Sequence, residues 1–171
     1  MRPSCANGIA HPNRVLAYQT LFIPGYYTPA PPPKPQPPQP PVQPPAPSLV
    51  WTGSYYNNTD MGGNPTIVRQ DATIDFNWGF GSPAVGINSD HFSVRWTATP
   101  YLNAGTYRFI ATSDDGVRVF VDDQLVIDGW GIHPAQGYFS DYYVGEGYHN
   151  VRVEYFEQTE NAVISVSWSR R

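Results

Sequence analysis

The chain has 171 residues, a formal net charge of −4 and only 14% charged residues, which leaves no basic stripe for a nucleic-acid partner. Its single cysteine excludes an internal disulfide framework, and no apolar run reaches the length needed to cross a bilayer. Aromatic residues make up 15%, and such rings fill sandwich cores as readily as they line sugar and protein sites.

The opening stretch, MRPSCANGIA, has no apolar core of the kind a signal peptide needs, and Cys5 lacks the apolar segment that precedes a lipoprotein cysteine. The expectation is export by another route, or a chain that is part of a longer one. Residues 1–28 form a short block with turn signals at Asn7-Gly8 and His11-Pro12-Asn13 and an apolar patch from Leu21 to Ile23. Through Ala6, Asn7, Gly8, Ile9, Pro12, Asn13, Gln19, Leu21, Ile23 and Pro24 this block resembles the C-terminal half of a LysM domain. That resemblance implies a small unit that binds N-acetylglucosamine glycans. The first strand and helix of such a unit are absent, and so few residues cannot bury a core alone, so the block is expected not to fold independently.

Residues 29–47 carry proline at twelve of nineteen positions. Such a run lacks the backbone donors for a helix or a central strand. It is expected to be an extended polyproline II spacer on the order of 60 Å long, at about 3.1 Å per residue. Its place between two dissimilar blocks points to a modular protein with tethered parts.

Residues 48–171 are expected to form one all-β domain. Ile74-Asp75-Phe76-Asn77-Trp78 alternates apolar and polar, as does Phe92 to Thr99, with Phe92, Val94 and Trp96 on one face. In the stretch 105–130, Tyr107, Phe109 and Ala111 share a face, as do Val117, Val119 and Val121, and a short run Leu125 to Ile127 follows. Turn dipeptides at Asp115-Gly116 and Asp122-Asp123 predict a three-strand meander there. Further strand signals lie at Tyr138 to Val144, Val151 to Phe156 and Val163 to Trp168, with Glu157 to Asn161 as a polar loop. Many short strands with regular turns predict an antiparallel β-sandwich. Trp78, Trp96 and Trp168 are expected in its core, and at least one of Tyr138, Tyr142 and Tyr143 on its surface.

Residues 51–169 resemble the PA14 domain, a β-sandwich module of bacterial toxins, glycoside hydrolases, adhesins and yeast flocculins. The resemblance rests on Trp51, Tyr55-Tyr56, Phe76-Asn77-Trp78, Ser82-Pro83, Phe92 to Trp96 and Gly105-Thr106-Tyr107. It rests above all on Ser113-Asp114-Asp115-Gly116-Val117-Arg118, continued by Val121-Asp122, Ile127 to Trp130, Val153 to Glu157 and Trp168. It implies a calcium ion held by Asp114 and Asp115 across a cis peptide bond, with the ion ligating two sugar hydroxyls. Two neighbours in an ordinary strand point to opposite faces, and calcium asks for six to eight oxygens. The loop before the last strand is expected to complete the metal site through Glu157 and Asn161. Ligand contacts are expected from Asp114, Asp115, Trp130, Gln158 and Asn161.

The function expected is a non-catalytic carbohydrate-binding or adhesion module of an extracellular or cell-surface modular protein, with cell-wall or extracellular glycans as partners. The alternative is a structural or protein–protein spacer, in which Asp114 and Asp115 merely hydrogen-bond backbone amides. Catalysis is not expected. The chain has no GxSxG elbow, HExxH or phosphate loop, and His11, His91, His133 and His149 lack metal-ligand spacing.

Overall fold

A computed structural model describes residues 49–171. The LysM-like block over 1–28 and the proline-rich stretch over 29–47 lie outside these described residues. The described residues form twelve strands: β1 (Trp51–Tyr56), β2 (Ile67–Asp71), β3 (Ile74–Gly79), β4 (Phe92–Ala98), β5 (Tyr101–Leu102), β6 (Gly105–Ser113), β7 (Val117–Val121), β8 (Gln124–Gly129), β9 (Gln136–Val144), β10 (Gly147–Tyr148), β11 (Val151–Glu157) and β12 (Ala162–Arg170). One sheet runs β2-β1-β4-β11-β7-β8, a second runs β3-β12-β6-β9, and β5 pairs with β10. All the pairings are antiparallel. The expected all-β antiparallel sandwich is what the sequence builds. No helix among the described residues is long and apolar enough to cross a membrane.

Period-two alternation decides which side chains enter the core. Phe92, Val94 and Trp96 of β4, Val117, Val119 and Val121 of β7, and Val151, Val153 and Tyr155 of β11 are buried. They face Phe109 and Ala111 of β6 and Ile164 of β12 across the interior. Phe76 lies parallel to the rings of Trp78 and Trp96 at 4.8 and 5.8 Å. Trp96 is fully buried, whereas Trp78 and Trp168 pack against the core only partly buried. Tyr143 is the exposed member of its tyrosine trio.

The stretch 105–130 is not a three-strand meander. β6 pairs with β12 and β9 in one sheet, while β7 pairs with β11 and β8 in the other. Alternation within each strand reads the same in both arrangements, so the crossing leaves no mark in the periodicity. What marks it is the turn itself. Asp115 takes a left-handed φ of 57°, and a side chain on Gly116 would run into the ring of Phe156. The next turn is ordinary hairpin chemistry: Asp122 and Asp123 both have positive φ, 49° and 64°, as a tight two-residue connection requires.

The sandwich has two unlike poles. β1 begins and β12 ends at one of them, where Trp51 meets Trp168 edge to face at 5.8 Å. The other pole gathers the end of β6, the start of β7, the end of β11 and the start of β12. At the same end as Trp51, its register partner, Asp71 anchors the edge of the larger sheet. It accepts hydrogen bonds from Tyr55 Oη at 2.7 Å, Trp96 Nε1 at 2.8 Å and Arg69 Nε at 2.8 Å. Gly53 leaves room for this network, since a Cβ there would lie 2.6 Å from Asp71 Oδ2. Removing the carboxylate strands the Trp96 and Tyr55 donors and the Arg69 charge. Asp71→Ala is therefore expected to cost about 3–5 kcal/mol, read as a lower denaturation midpoint with unchanged slope.

His149, just after β10, joins the β7–β8 turn to the loop between β9 and β10. Its Nδ1 sits 2.6 Å from Asp122 Oδ2 and its Nε2 3.0 Å from the Gly145 carbonyl. Asp122 raises the His149 pKa, and His149 in turn lowers that of Asp122. A raised histidine pKa gives stability that is full below the unfolded value of about 6.5 and lost as pH rises through the folded one. The lowered Asp122 pKa gives stability lost as pH falls through its own folded value. His149→Gln is expected to lower the melting temperature more at about pH 5.5 than at about pH 8.5, and equal losses at both would refute the pairing.

Candidate functional site

The crossing from β6 to β7 places Ser113 to Gly116 at the acidic pole, against the β8–β9 loop on one side and the end of β11 on the other. Asp115 is only 2% exposed. Its Oδ1 accepts from the His133 amide at 3.1 Å and its Oδ2 from the Gln158 amide at 2.7 Å. Its own amide donates to the His133 carbonyl at 3.0 Å, and Ser113 Oγ donates to its carbonyl at 2.8 Å. Asp114 holds the crossing from the other strand, its amide donating to Val163 O at 2.9 Å. No cis peptide bond occurs among the described residues, so the expected cis link between Asp114 and Asp115 is corrected to a trans one. The left-handed turn at Asp115, rather than a cis bond, is what takes the chain out of strand geometry here.

Glu157 also departs from expectation. It is the last residue of β11 rather than part of a polar loop. Alternation carries it inward after Val151, Val153 and Tyr155, and it is completely buried. Its Oε2 accepts from Tyr155 Oη at 2.7 Å, while its Oε1 is buried without a hydrogen-bond partner. Burial, together with the negative charges of Asp115 and Asp114, pushes the Glu157 carboxyl up to about 8 against the pull of the Tyr155 hydroxyl. The same interior raises the Tyr155 hydroxyl far above its usual range, through burial first and the Glu157 charge second. Asp114 is raised as well, by desolvation and then by Asp115. Three carboxylates thus meet in a space where they repel one another.

The remaining expected residues divide. Gln158 is part of the cluster through its amide. Asn161 is exposed, one residue before β12, and takes no part in the hydrogen bonds that hold the cluster. Among the described residues no three acidic, histidine or cysteine side chains stand together so that they could hold a metal ion. Trp130 lies beside the cluster with one face under the Arg118 guanidinium, 3.9 Å from its ring centre. Its ring meets Phe156 at 4.7 Å and 72°. His133 and Tyr155 had no distinguishing sequence signal for a site. Tyr155 reads as core, and His133 matters through its backbone.

A cleft opens at each pole of the described residues. The larger, about 790 Å³, lies at the opposite pole by Trp51, Tyr101, Tyr148 and Trp168 and has no charged side chain in its lining. The smaller, about 440 Å³, abuts the carboxylate cluster between Arg118, Trp130, Ile132 and Gln158. Charge and polarity converge on the smaller one, which makes it the better candidate despite its size.

Comparison with known proteins agrees with this architecture. The family model of the PA14 domain matches residues 47–171. The anti-sigma-I factor RsgI3 of Acetivibrio thermocellus is 37% identical over 121 residues, which is 70% of this chain and 19% of that protein. The chain therefore spans about a fifth of that relative's length. A solved anti-sigma factor domain-containing protein from Clostridium clariflavum superposes with a TM-score of 0.65 at 35% identity, over 71% of this chain and 42% of its own. A PA14 sugar-binding domain from an RTX adhesin shares the fold at a TM-score of 0.57 and 20% identity, over 72% of this chain and 90% of its own. With the family model covering every described strand, the chain belongs to the PA14 domain family.

Proposed function

We propose that residues 48–171 are a non-catalytic carbohydrate-binding module whose glycan site is the carboxylate pole, with calcium as its cation. The observation that carries this reading is Glu157, fully buried with one oxygen lacking a partner, beside two further carboxylates that repel it. A buried acceptor without a donor calls for a partner, and a bound cation is one that would supply it. Hard oxygens of this kind suit calcium, and Asp114, Asp115 and Glu157 are the side chains that would hold it, once drawn closer together than they stand here, where they form no ligand set. Asn161 completes the set if the loop that carries it turns inward. When bound, calcium would offer open coordination positions to vicinal sugar hydroxyls.

The chain's own residues do the rest. The amides of His133 and Gln158 fix the Asp115 carboxylate. Gln158 and Trp130 bound the adjoining cleft, where ring stacking and an amide suit a sugar. The RTX adhesin domain of the same fold is a sugar-binding domain, and that role is the one carried over here. A module of this kind works outside the cell or at its surface, on cell-wall or extracellular glycans. Likeness to anti-sigma factors at 35–37% identity favours a second setting for the same domain, as the ligand-binding part of a regulatory protein rather than an adhesive one.

Calcium is expected to raise the melting temperature of the protein and a chelator to reverse the rise, since a ligand of the folded state alone stabilises it. Asp115→Asn should abolish the response. No shift with calcium and no retention on a glycan array would leave the spacer reading in its place. Glu157→Gln should separate stability from binding. The amide keeps an acceptor for Tyr155 and removes the buried repulsion, so the calcium-free variant is expected to melt higher than the wild type while losing the calcium response.

A further inference from the structure

We propose that the free edge of β9 is a self-association surface. Two copies of this chain pair β9 with β9 antiparallel about a two-fold axis at Ser140, joining their four-stranded sheets into one of eight strands.

β9 closes the smaller sheet and pairs with β6 alone among the described strands. The backbone donors and acceptors on its other side meet no strand there. Such an edge invites another strand, and proteins blunt it with short length, charge, proline or a bulge. The other edges of the two main sheets are blunted. β2 has five residues and carries Arg69 and Asp71, and the pairings of β3 and β8 are each broken by a register shift. β9 uses none of these devices. It runs unbroken against β6 from Gly105 opposite Val144 to Ser113 opposite Gln136. Nine residues span about 30 Å. They include no proline, lysine or arginine, and their one charge, Asp141, is already paired with Arg108 at 2.7 Å.

The side chains agree with the backbone. Tyr107, Phe109 and Ala111 of β6 are buried, whereas the residues beside them on β9, Tyr142, Ser140 and Tyr138, are only half-buried. On the outer face Phe139 and Tyr143 flank Asp141 and are 67% and 65% exposed. Exposed Ile110 stands next to Phe139 and extends the apolar strip. The strand is complementary to itself, which names the occupant. Pairing about Ser140 sets Gln136 against the partner's Val144, so all nine residues are matched. It also sets Tyr138 against the partner's Tyr142, a cross-strand aromatic pair that covers two half-buried rings. Moving the axis by one residue to Asp141 would instead set two carboxylates face to face. A two-fold contact of this kind closes on itself as a dimer, and it points the two carboxylate poles in opposite directions.

The test is sedimentation velocity on the full chain over a concentration series reaching about 100 μM. The expected species at the top of the series is a dimer with twice the 19.1 kDa mass of the chain. Phe139→Lys combined with Tyr143→Lys charges two exposed positions of the edge and should weaken the dimer by about tenfold or more, with the far-ultraviolet circular dichroism unchanged. Should that variant fail to fold, a cross-link decides. Ser140→Cys in a Cys5→Ser background puts a thiol on the axis, where the facing Cα atoms of an antiparallel pair lie within disulfide reach. Mild oxidation is expected to give a covalent dimer, and Asn77→Cys in the same background, on the edge strand β3, is expected not to. A chain that stays monomeric throughout and forms no cross-link overturns the proposal. A dimer that survives both lysines and leaves the Ser140→Cys thiol unlinked overturns it as well, because the contact then lies elsewhere.

Discussion

One carboxylate holds the acidic pole together. The Asp115 side chain receives the amide of His133 from the β8–β9 loop and the amide of Gln158 from the end of β11, and it does so from the turn that passes the chain between sheets. Three segments far apart in sequence are thus fixed by two hydrogen bonds to a charged acceptor, the stronger class of such bonds. The left-handed backbone at Asp115 and the contact that bars a side chain at Gly116 make the turn tight enough for this to happen. Everything proposed for the pole follows from that tie. It sets the β11 end with Glu157 turned inward, and it brings Gln158 to the edge of the cleft.

The cluster is a place where local chemistry disagrees with its surroundings. Alternation along β11 puts Glu157 where a Val or Ile would satisfy the interior, and one of its oxygens is left without a donor. The outer face of the same strand shows how the chain treats a buried acid elsewhere. Glu154 is also buried, yet Arg95 reaches it at 3.1 Å and Arg118 at 2.8 Å. With Arg152 at 3.7 Å as well, one acid is neutralised by three cations, and the other is surrounded by like charge. Such contrasts between neighbouring positions tend to mark function rather than folding.

Much of the fold was legible in the sequence because alternation is a direct record of burial. The inward faces of β4, β6, β7, β11 and β12 follow it residue by residue. The change of sheet after β6 was not legible, since both sheets bury alternate residues alike and the turn could serve a hairpin equally well. For the site, Asp114 and Asp115 stand out through the Ser113 to Arg118 run, whereas Glu157 reads as loop because an acid after Phe156 looks like the end of a strand. Counting on from Val151, Val153 and Tyr155 would have turned it inward. The roles of His133 and Gln158 reside in backbone amides, which leave no trace in side-chain pattern.

The edge-to-face contact of Trp51 with Trp168 has a mechanical consequence. β1 and β12 lie in different sheets but present their outer ends at the same pole. A load drawn through both strands acts at that pole and opens the sandwich like a zipper, each ladder bond yielding after the one before it. The two indoles are the first contact to bear such a load. The carboxylate pole, at the far end of both strands, is the last part of the domain to feel it, so the hydrogen bonds to Asp115 outlast those at the opposite end.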